Sequence, residues 1–312
     1  MLLTGLITHG ELYKMKCAYI LPRKCQTSNI AGCPKFGAES RTEIDTGLLP
    51  QEVKGLRSLF SLENKVAIVT GASRWTGKTI ALEMAKAGAD IVVCARTPDL
   101  VEATAAEIRS LGRKSLAVPT DVRVAEQVNN MVKKTLQEFG RVDILVNSAG
   151  ASFAAHAMKL NEDGWDAIVR ENMKPVFICS KAVVESMVEH GGGSIINISC
   201  AAAQEVFSKI IQPDGTRRVT GSAFGASKAA LERLTVGLAE EVREYNIAVN
   251  AIKPAGVVNT EGMRLWMPDA DKSHWAPPDR MVKAVTFLAG QDASGVTGTV
   301  VSDEELCTWH GL

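Results

Sequence analysis

The sequence has no surplus of charge of either sign. Its 35 lysines and arginines stand against 35 aspartates and glutamates, with a pI near 7.0. A balanced chain offers no basic stripe to a nucleic acid backbone and no polybasic run to an anionic membrane surface. Long apolar runs are missing as well; none approaches the roughly 20 residues that span a bilayer. The opening MLLTGLITHGELYK has an apolar patch too short for the core of a secretory signal, with no small-residue cleavage site after it. No nucleic acid and no membrane are expected as partners, and the cytoplasm is the expected location.

Cysteine is present without a framework. The seven residues, Cys17, Cys25, Cys33, Cys94, Cys179, Cys200 and Cys307, are odd in number and unpatterned, which favours reduced thiols. Cys17, Cys25 and Cys33 recur every eight residues. The close C-x2-4-C or H-x3-5-H pairs of zinc sites are missing, so no metal is expected.

What the chain does have is length and apolar content: 312 residues, 46% hydrophobic and 22% charged, enough for one large α/β core. Residues 1–47 show no sustained period and are expected to be a poorly ordered extension. Within 48–60, Leu49, Val53, Leu56 and Phe60 form one stripe of a short amphipathic helix. From Lys65 the texture changes. KVAIVT, ADIVVCA, KSLAVPTD, VDILVNSAG, GGGSIINIS, IAVNAI and GVTGTVV read as strands. Between them lie helical stretches at 75–88, 99–111, 124–139, 165–189, 223–245 and 280–289. Strands alternating with helices imply right-handed βαβ units. The expected fold is α/β, a doubly wound seven-stranded parallel sheet with helices on both faces, in one domain over 61–312. Ligands of such sheets bind beyond the carboxyl ends of the strands.

TGASRWTG, Thr70 to Gly77, lies between the first strand and the first helix, where helix amides can meet a pyrophosphate. With the motifs that follow, the chain resembles the short-chain dehydrogenase/reductase family, whose Rossmann-type turn reads T-G-x-x-x-G-x-G. Gly71 and Gly77 match, and Trp75 stands at the middle glycine. Asp121 in PTDV corresponds to the family's adenine-contacting aspartate, and NSAG, Asn147 to Gly150, to N-N-A-G. An acidic residue at Ala95 would favour NAD(H). Arg96 beside it, with Arg74 in the turn, suits a 2′-phosphate and favours NADP(H) over NAD(H). The resemblance runs over roughly residues 60–301. It implies cofactor contacts at Gly71, Ser73, Arg74, Trp75, Gly77, Arg96, Asp121, Val122, Asn147, Ala149, Gly150, Lys228 and Pro254.

The family transfers hydride between a nicotinamide and a carbonyl or alcohol carbon, using a tyrosine acid, a lysine, a serine and an asparagine. By resemblance Lys228 in GSAFGASK is the lysine and Asn172 in RENMKP the asparagine. Phe224 occupies the tyrosine position. The serine position after the fifth strand falls on Cys200; Ser199 is adjacent and points to the other face unless the register slips. KIIQPDGTRR adds an excursion around the turn signal Pro213-Asp214-Gly215. Residues 254–279, with Trp266 and Trp275, are either a flap over substrate or a loop packed on the body. Three replacements at working positions leave two expectations. One is an NADP(H)-dependent oxidoreductase of a small carbonyl or alcohol with impaired turnover. The other is a catalytically silent member of the fold with a binding or assembly role. The resemblance also implies a homodimer or homotetramer built on the helices near Ala223 and Arg280.

Overall fold

All five side chains of VAIVT are buried, which requires a sheet covered on both faces. The computed structural model describes residues 60–312 apart from 152–154, 206–209, 212–216, 219–220 and 267. The extension at 1–47 and the stripe of the helix at 48–60, save Phe60, lie outside the described residues, as does the Pro213-Asp214-Gly215 turn.

The chain runs β1 (Val66–Thr70), α1 (Trp75–Lys86), β2 (Asp90–Ala95), α2 (Pro98–Ser110), β3 (Ser115–Pro119), α3 (Ala125–Phe139) and β4 (Ile144–Asn147). It continues through α4 (Glu162–Asn172), α5 (Lys174–Glu189), β5 (Gly193–Ile198), the two-residue strands β6 (Ile210–Ile211) and β7 (Arg217–Arg218), and α6 (Ser222–Glu241). It closes with β8 (Ile247–Lys253), α7 (Glu261–Trp266), α8 (Pro278–Ala289), β9 (Val300–Ser302) and α9 (Asp303–His310). Seven strands form one parallel sheet in the order β3-β2-β1-β4-β5-β8-β9. The order reverses between β1 and β4, and that switch point opens a crevice at the strands' carboxyl ends. β6 and β7 pair antiparallel, apart from this sheet.

Alternation along the strands divides the core. Ala67, Val69, Ile91, Ile144 and Val146 pack toward Ile80 and Met84 of α1, Ile108 of α2 and Leu288 of α8. Ile68, Val92, Leu145 and Ile195 pack toward Met131 of α3 and Val183 and Met187 of α5. A one-residue slip would exchange the two sets.

The long helical stretch at 165–189 proves to be two helices. α4 ends at Asn172, Met173 caps it, and α5 begins one residue later with Pro175 in its first turn. Proline lacks the N–H an uninterrupted helix needs there, so the ladder restarts. The stretch at 223–245 is α6 followed by a 3-10 turn at Arg243–Tyr245. Only the end of GVTGTVV pairs as β9, because Val296 and Thr297 bond instead to Asn250 and Val249. Periodicity gave no sign of α9, whose signal is the capping box of Ser302 and Glu305.

Among the described residues no helix is long and apolar enough to cross a membrane. No group of three or more His, Cys, Asp or Glu among them could hold a metal ion.

Asp143, almost fully buried, ties β4 to β1. Its carboxylate accepts from Val66 N at 2.9 Å and from Arg141 Nε at 2.8 Å, with Lys65 Nζ at 3.6 Å. Asp143→Ala leaves these donors unmatched and is expected to cost about 2–4 kcal/mol in urea unfolding. A loss below about 0.5 kcal/mol, the scale of an ordinary surface change, would show that the carboxylate does not hold the strands together.

Candidate active site

The tips of β1 and β4 are joined by one hydroxyl. Thr70 Oγ1 donates to Val146 O at 3.2 Å and accepts from Ser148 N at 3.0 Å and Ala149 N at 3.1 Å. The chain then turns at Gly71, whose φ of +69° and whose close backbone contact with Ala149 both disfavour a side chain. A Cβ on Gly77 would come within 2.5 Å of Gly71 O, so α1 starts hard against the turn. Trp75, the first residue of α1, has φ +57°. The backbone thus keeps a left-handed conformation that disfavours side chains, while the residue is the bulkiest available. Its indole is 46% exposed, with the Arg74 guanidinium 4.8 Å from the ring centroid.

This turn forms one wall of a groove at the switch point. Gly71, Ser73, Arg74, Trp75, Gly77, Arg96, Asp121, Val122, Ala149 and Gly150 all line it. Three of the expected cofactor residues do not. Asn147 is buried beneath, its amide donating to Asn197 Oδ1 at 2.9 Å and Ser180 Oγ at 3.3 Å. Pro254 follows β8, where the next residue's N–H bonds Asp303 Oδ1 at 2.8 Å. Lys228 lies below the groove floor. Arg74 and Arg96 form no ion pair among the described residues.

Sequence reasoning missed Arg123 and Glu171, which also line the groove. Arg123 Nε reaches both Asp121 oxygens, at 2.8 and 3.0 Å, and its guanidinium also pairs with Glu171. Hydrogen bonds from Arg123 hold the Asp121 carboxyl below its usual range, with Arg96 adding charge. No local pattern announced the pair, because Arg123 and Glu171 meet only through the fold.

The positions expected to be catalytic converge below Gly150. A Cβ there would stand 2.9 Å from Asn172 Oδ1 and 3.7 Å from Lys228 Nζ. Asn172, fully buried, accepts from Ala151 N at 3.1 Å and donates to Ile168 O at 3.1 Å. Lys228 is 8% exposed and donates to Ile198 O at 2.9 Å. Burial pulls its pKa down to about 8, against an upward pull from Cys200 and Glu232. The buried Phe224 ring has its centroid 6.0 Å from Lys228 Nζ. Ser199 Oγ donates to Glu232 Oε1 at 2.7 Å, and Gln204 Nε2 reaches the other oxygen at 3.1 Å. Ser199 is therefore engaged by Glu232, while Cys200, half-buried, is the thiol beside Lys228. α6 presses on the turn after Cys200, since a Cβ on Gly225 would overlap Ala202 O.

Between β8 and α8 the chain makes a loop closed at its neck. Val258 and Ala276 form a bridge, with Asn259 N to Ala276 O and Ala276 N to Val257 O both at 2.8 Å. α7 lies in this loop, and its Leu265 is 72% exposed.

A family profile described as short chain dehydrogenase matches residues 65–270. The chain is 32% identical over 257 residues to the BbsD subunit of (2S)-[(R)-hydroxy(phenyl)methyl]succinyl-CoA dehydrogenase from Thauera aromatica, covering 78% of this chain and 96% of that one. It is 32% identical over 250 residues to a 3-oxoacyl-[acyl-carrier-protein] reductase from Synechocystis, covering 77% and 95%. Among solved structures, a short-chain type dehydrogenase/reductase from Mycobacterium marinum superposes with a TM-score of 0.67 at 31% identity, over 78% of this chain and 95% of its own.

Gly225→Ala is expected to push α6 off the turn after Cys200 and cost about 1–3 kcal/mol, measured by chemical unfolding. An unchanged midpoint would show that the turn yields freely.

Proposed function

The chain belongs to the short-chain dehydrogenase family, and on that premise we propose that it is an NADP(H)-dependent oxidoreductase. It transfers hydride to or from a small carbonyl or alcohol, with turnover impaired by the loss of the phenol at Phe224. The observation that carries this reading is the groove itself. A glycine-built turn faces the groove, and two arginines that form no ion pair among the described residues stand beside it over a buried lysine. The residues present fit a dinucleotide.

The amides at the start of α1 and the turn at Gly71, Ser73 and Gly77 would hold the phosphates, Arg74 and Arg96 a 2′-phosphate, and Asp121 and Val122 the adenine. Ala149, Gly150 and Pro254 would border the nicotinamide half, with Lys228 on its ribose. Asn147 acts from below, through its bonds to Asn197 and Ser180. When bound, the nicotinamide supplies or accepts the hydride. Asn172 anchors the backbone beside the site, and Cys200 offers the substrate oxygen only a weak hydrogen bond. Phe224 fills the space of a proton donor and donates nothing. The catalytic unit is 61–312, with 254–279 over the substrate, and it works in the cytoplasm as a homodimer or homotetramer joined through α6 and α8. Exposed apolar side chains on α6 and its neighbour α5, Val236 and Phe177, support the α6 contact.

NADPH is expected to bind the purified protein at least about tenfold more tightly than NADH, and Arg96→Ala to remove most of that margin by weakening NADPH alone. Equal affinities would sink the NADP(H) preference. Phe224→Tyr is expected to raise turnover on a carbonyl panel by about 10²–10⁴. NADPH binding with no turnover in the wild type, rescued only by Phe224→Tyr with Cys200→Ser, would instead favour a silent binding protein. Sedimentation should give a dimer or larger; a monomer at all concentrations would refute the assembly.

A further inference from the structure

The site holds a proton-transfer problem that its motif residues leave unsolved. Phe224 has no exchangeable proton. Ser199 is bound to Glu232, and Ser227 Oγ donates to Phe224 O at 2.7 Å. Glu171 is paired with Arg123. His156 is exposed, with its ring nitrogen bonded to Met158 N. Cys200 carries a thiol, a poor hydrogen-bond donor.

One group remains. Lys228 Nζ has three protons, and its one hydrogen bond among the described residues, to Ile198 O, uses one of them. No carboxylate lies within ion-pair distance of it among the described residues. Glu232, four residues along the same helix face, has both oxygens engaged by Ser199 and Gln204. The amine is therefore buried against an aromatic ring without a salt bridge to lock its charge, and it stands beside Asn172 under the glycine floor of the groove. Buried amines of this kind are the ones that titrate and do acid–base work.

We propose that Lys228 is itself the acid and base of the reaction, a role different from tuning a tyrosine. This rests on the oxidoreductase reading above. In reduction, hydride from a reduced nicotinamide adds to the carbonyl carbon and the C=O π pair moves to oxygen. That oxygen forms a bond to a proton of the Lys228 ammonium, the N–H pair stays on nitrogen, and the neutral amine regains a proton from water. In oxidation the amine takes the hydroxyl proton as hydride leaves carbon for an oxidised nicotinamide. Among the described residues the charged or titratable neighbours that act on the amine are Cys200 from the end of β5 and Glu232 from its own helix; Asn172 from α4 is neutral. Both neighbours raise the lysine, and burial lowers it further than they raise it, to about 8. The acid form prevails below that pH and the base form above it. Reduction should then fall, and oxidation rise, as pH passes through about 8.

Lys228→Arg separates the two roles, because arginine keeps the cation for a ribose and does not release a proton at these pH values. The expected result is NADPH affinity within about threefold of wild type and reduction slowed about 100-fold or more, with the pH step near 8 gone. Lys228→Met should lose both affinity and turnover. A readout independent of turnover comes from competitive acetic anhydride labelling of the cofactor-free wild type between pH 6 and 11, followed peptide by peptide. It should give Lys228 a midpoint near 8, with exposed lysines near the usual 10 or so. A Lys228 midpoint with the exposed lysines, or wild-type turnover that survives Lys228→Arg with its pH profile intact, overturns the proposal alone. Wild type without turnover on any carbonyl or alcohol overturns the oxidoreductase reading, and this proposal with it.

Discussion

Thr70 Oγ1 makes three hydrogen bonds to the tip of β4, and the rest of the site is built on that junction. A parallel sheet whose order reverses at β1 and β4 must splay at that point, leaving backbone groups without ladder partners. The hydroxyl satisfies two amides and reaches one carbonyl, fixing how far apart the strand tips stand. The turn at Gly71 can then lie against Ala149, and Gly77 can bring α1 down on the turn. Gly150, one residue beyond the junction, places the floor of the groove over Asn172 and Lys228.

The strands that build the sheet were legible because burial on both faces leaves continuous apolar runs such as VAIVT and IAVNAI, and no other soluble element of that length needs them. The turn was legible because backbone contacts at Gly71 and Gly77 disfavour any other residue type. At Trp75 the same logic held for the backbone and failed for the side chain: the φ is one glycine adopts, yet the sequence places an indole there. Helix boundaries were less legible. Pro175 was compatible with a continuing helix in the sequence, and only the structure shows that it sits where a new helix must begin. Alignment on the strand end puts the serine position at Cys200, but spacing could not show that the adjacent Ser199 is engaged by Glu232 of α6. Arg123 and Glu171 were invisible for a related reason: their meeting, 48 residues apart, is a property of topology.

At the positions where the family resemblance expects a tyrosine and a serine, Phe224 and Cys200 share a physical character. Each keeps approximate volume and removes or weakens a hydroxyl group, so the packing around α6 is retained while the polarity of the site falls. A buried site makes a charged amine harder to sustain, and burial is what lowers the pKa of Lys228. Its neighbour Glu232 has both carboxylate oxygens bonded, by Ser199 and Gln204. Two ionisable groups one helical turn apart thus sit in opposite circumstances: one carboxylate is held by donors, and one amine is left to solvent-poor surroundings.

The loop around α7 is tied where it leaves and rejoins the body, at Val258 and Ala276. For a segment closed in this way, ordering cost grows only with the logarithm of length, about 0.6 kcal/mol for each doubling. Residues inside the neck can be replaced, added or deleted with little effect on the sheet beneath, whereas the neck itself cannot. Inheritance can therefore rewrite what this loop presents, Leu265 included, while the scaffold stays the same. Variation in this loop and preservation of the fold are assigned to separate stretches of one chain.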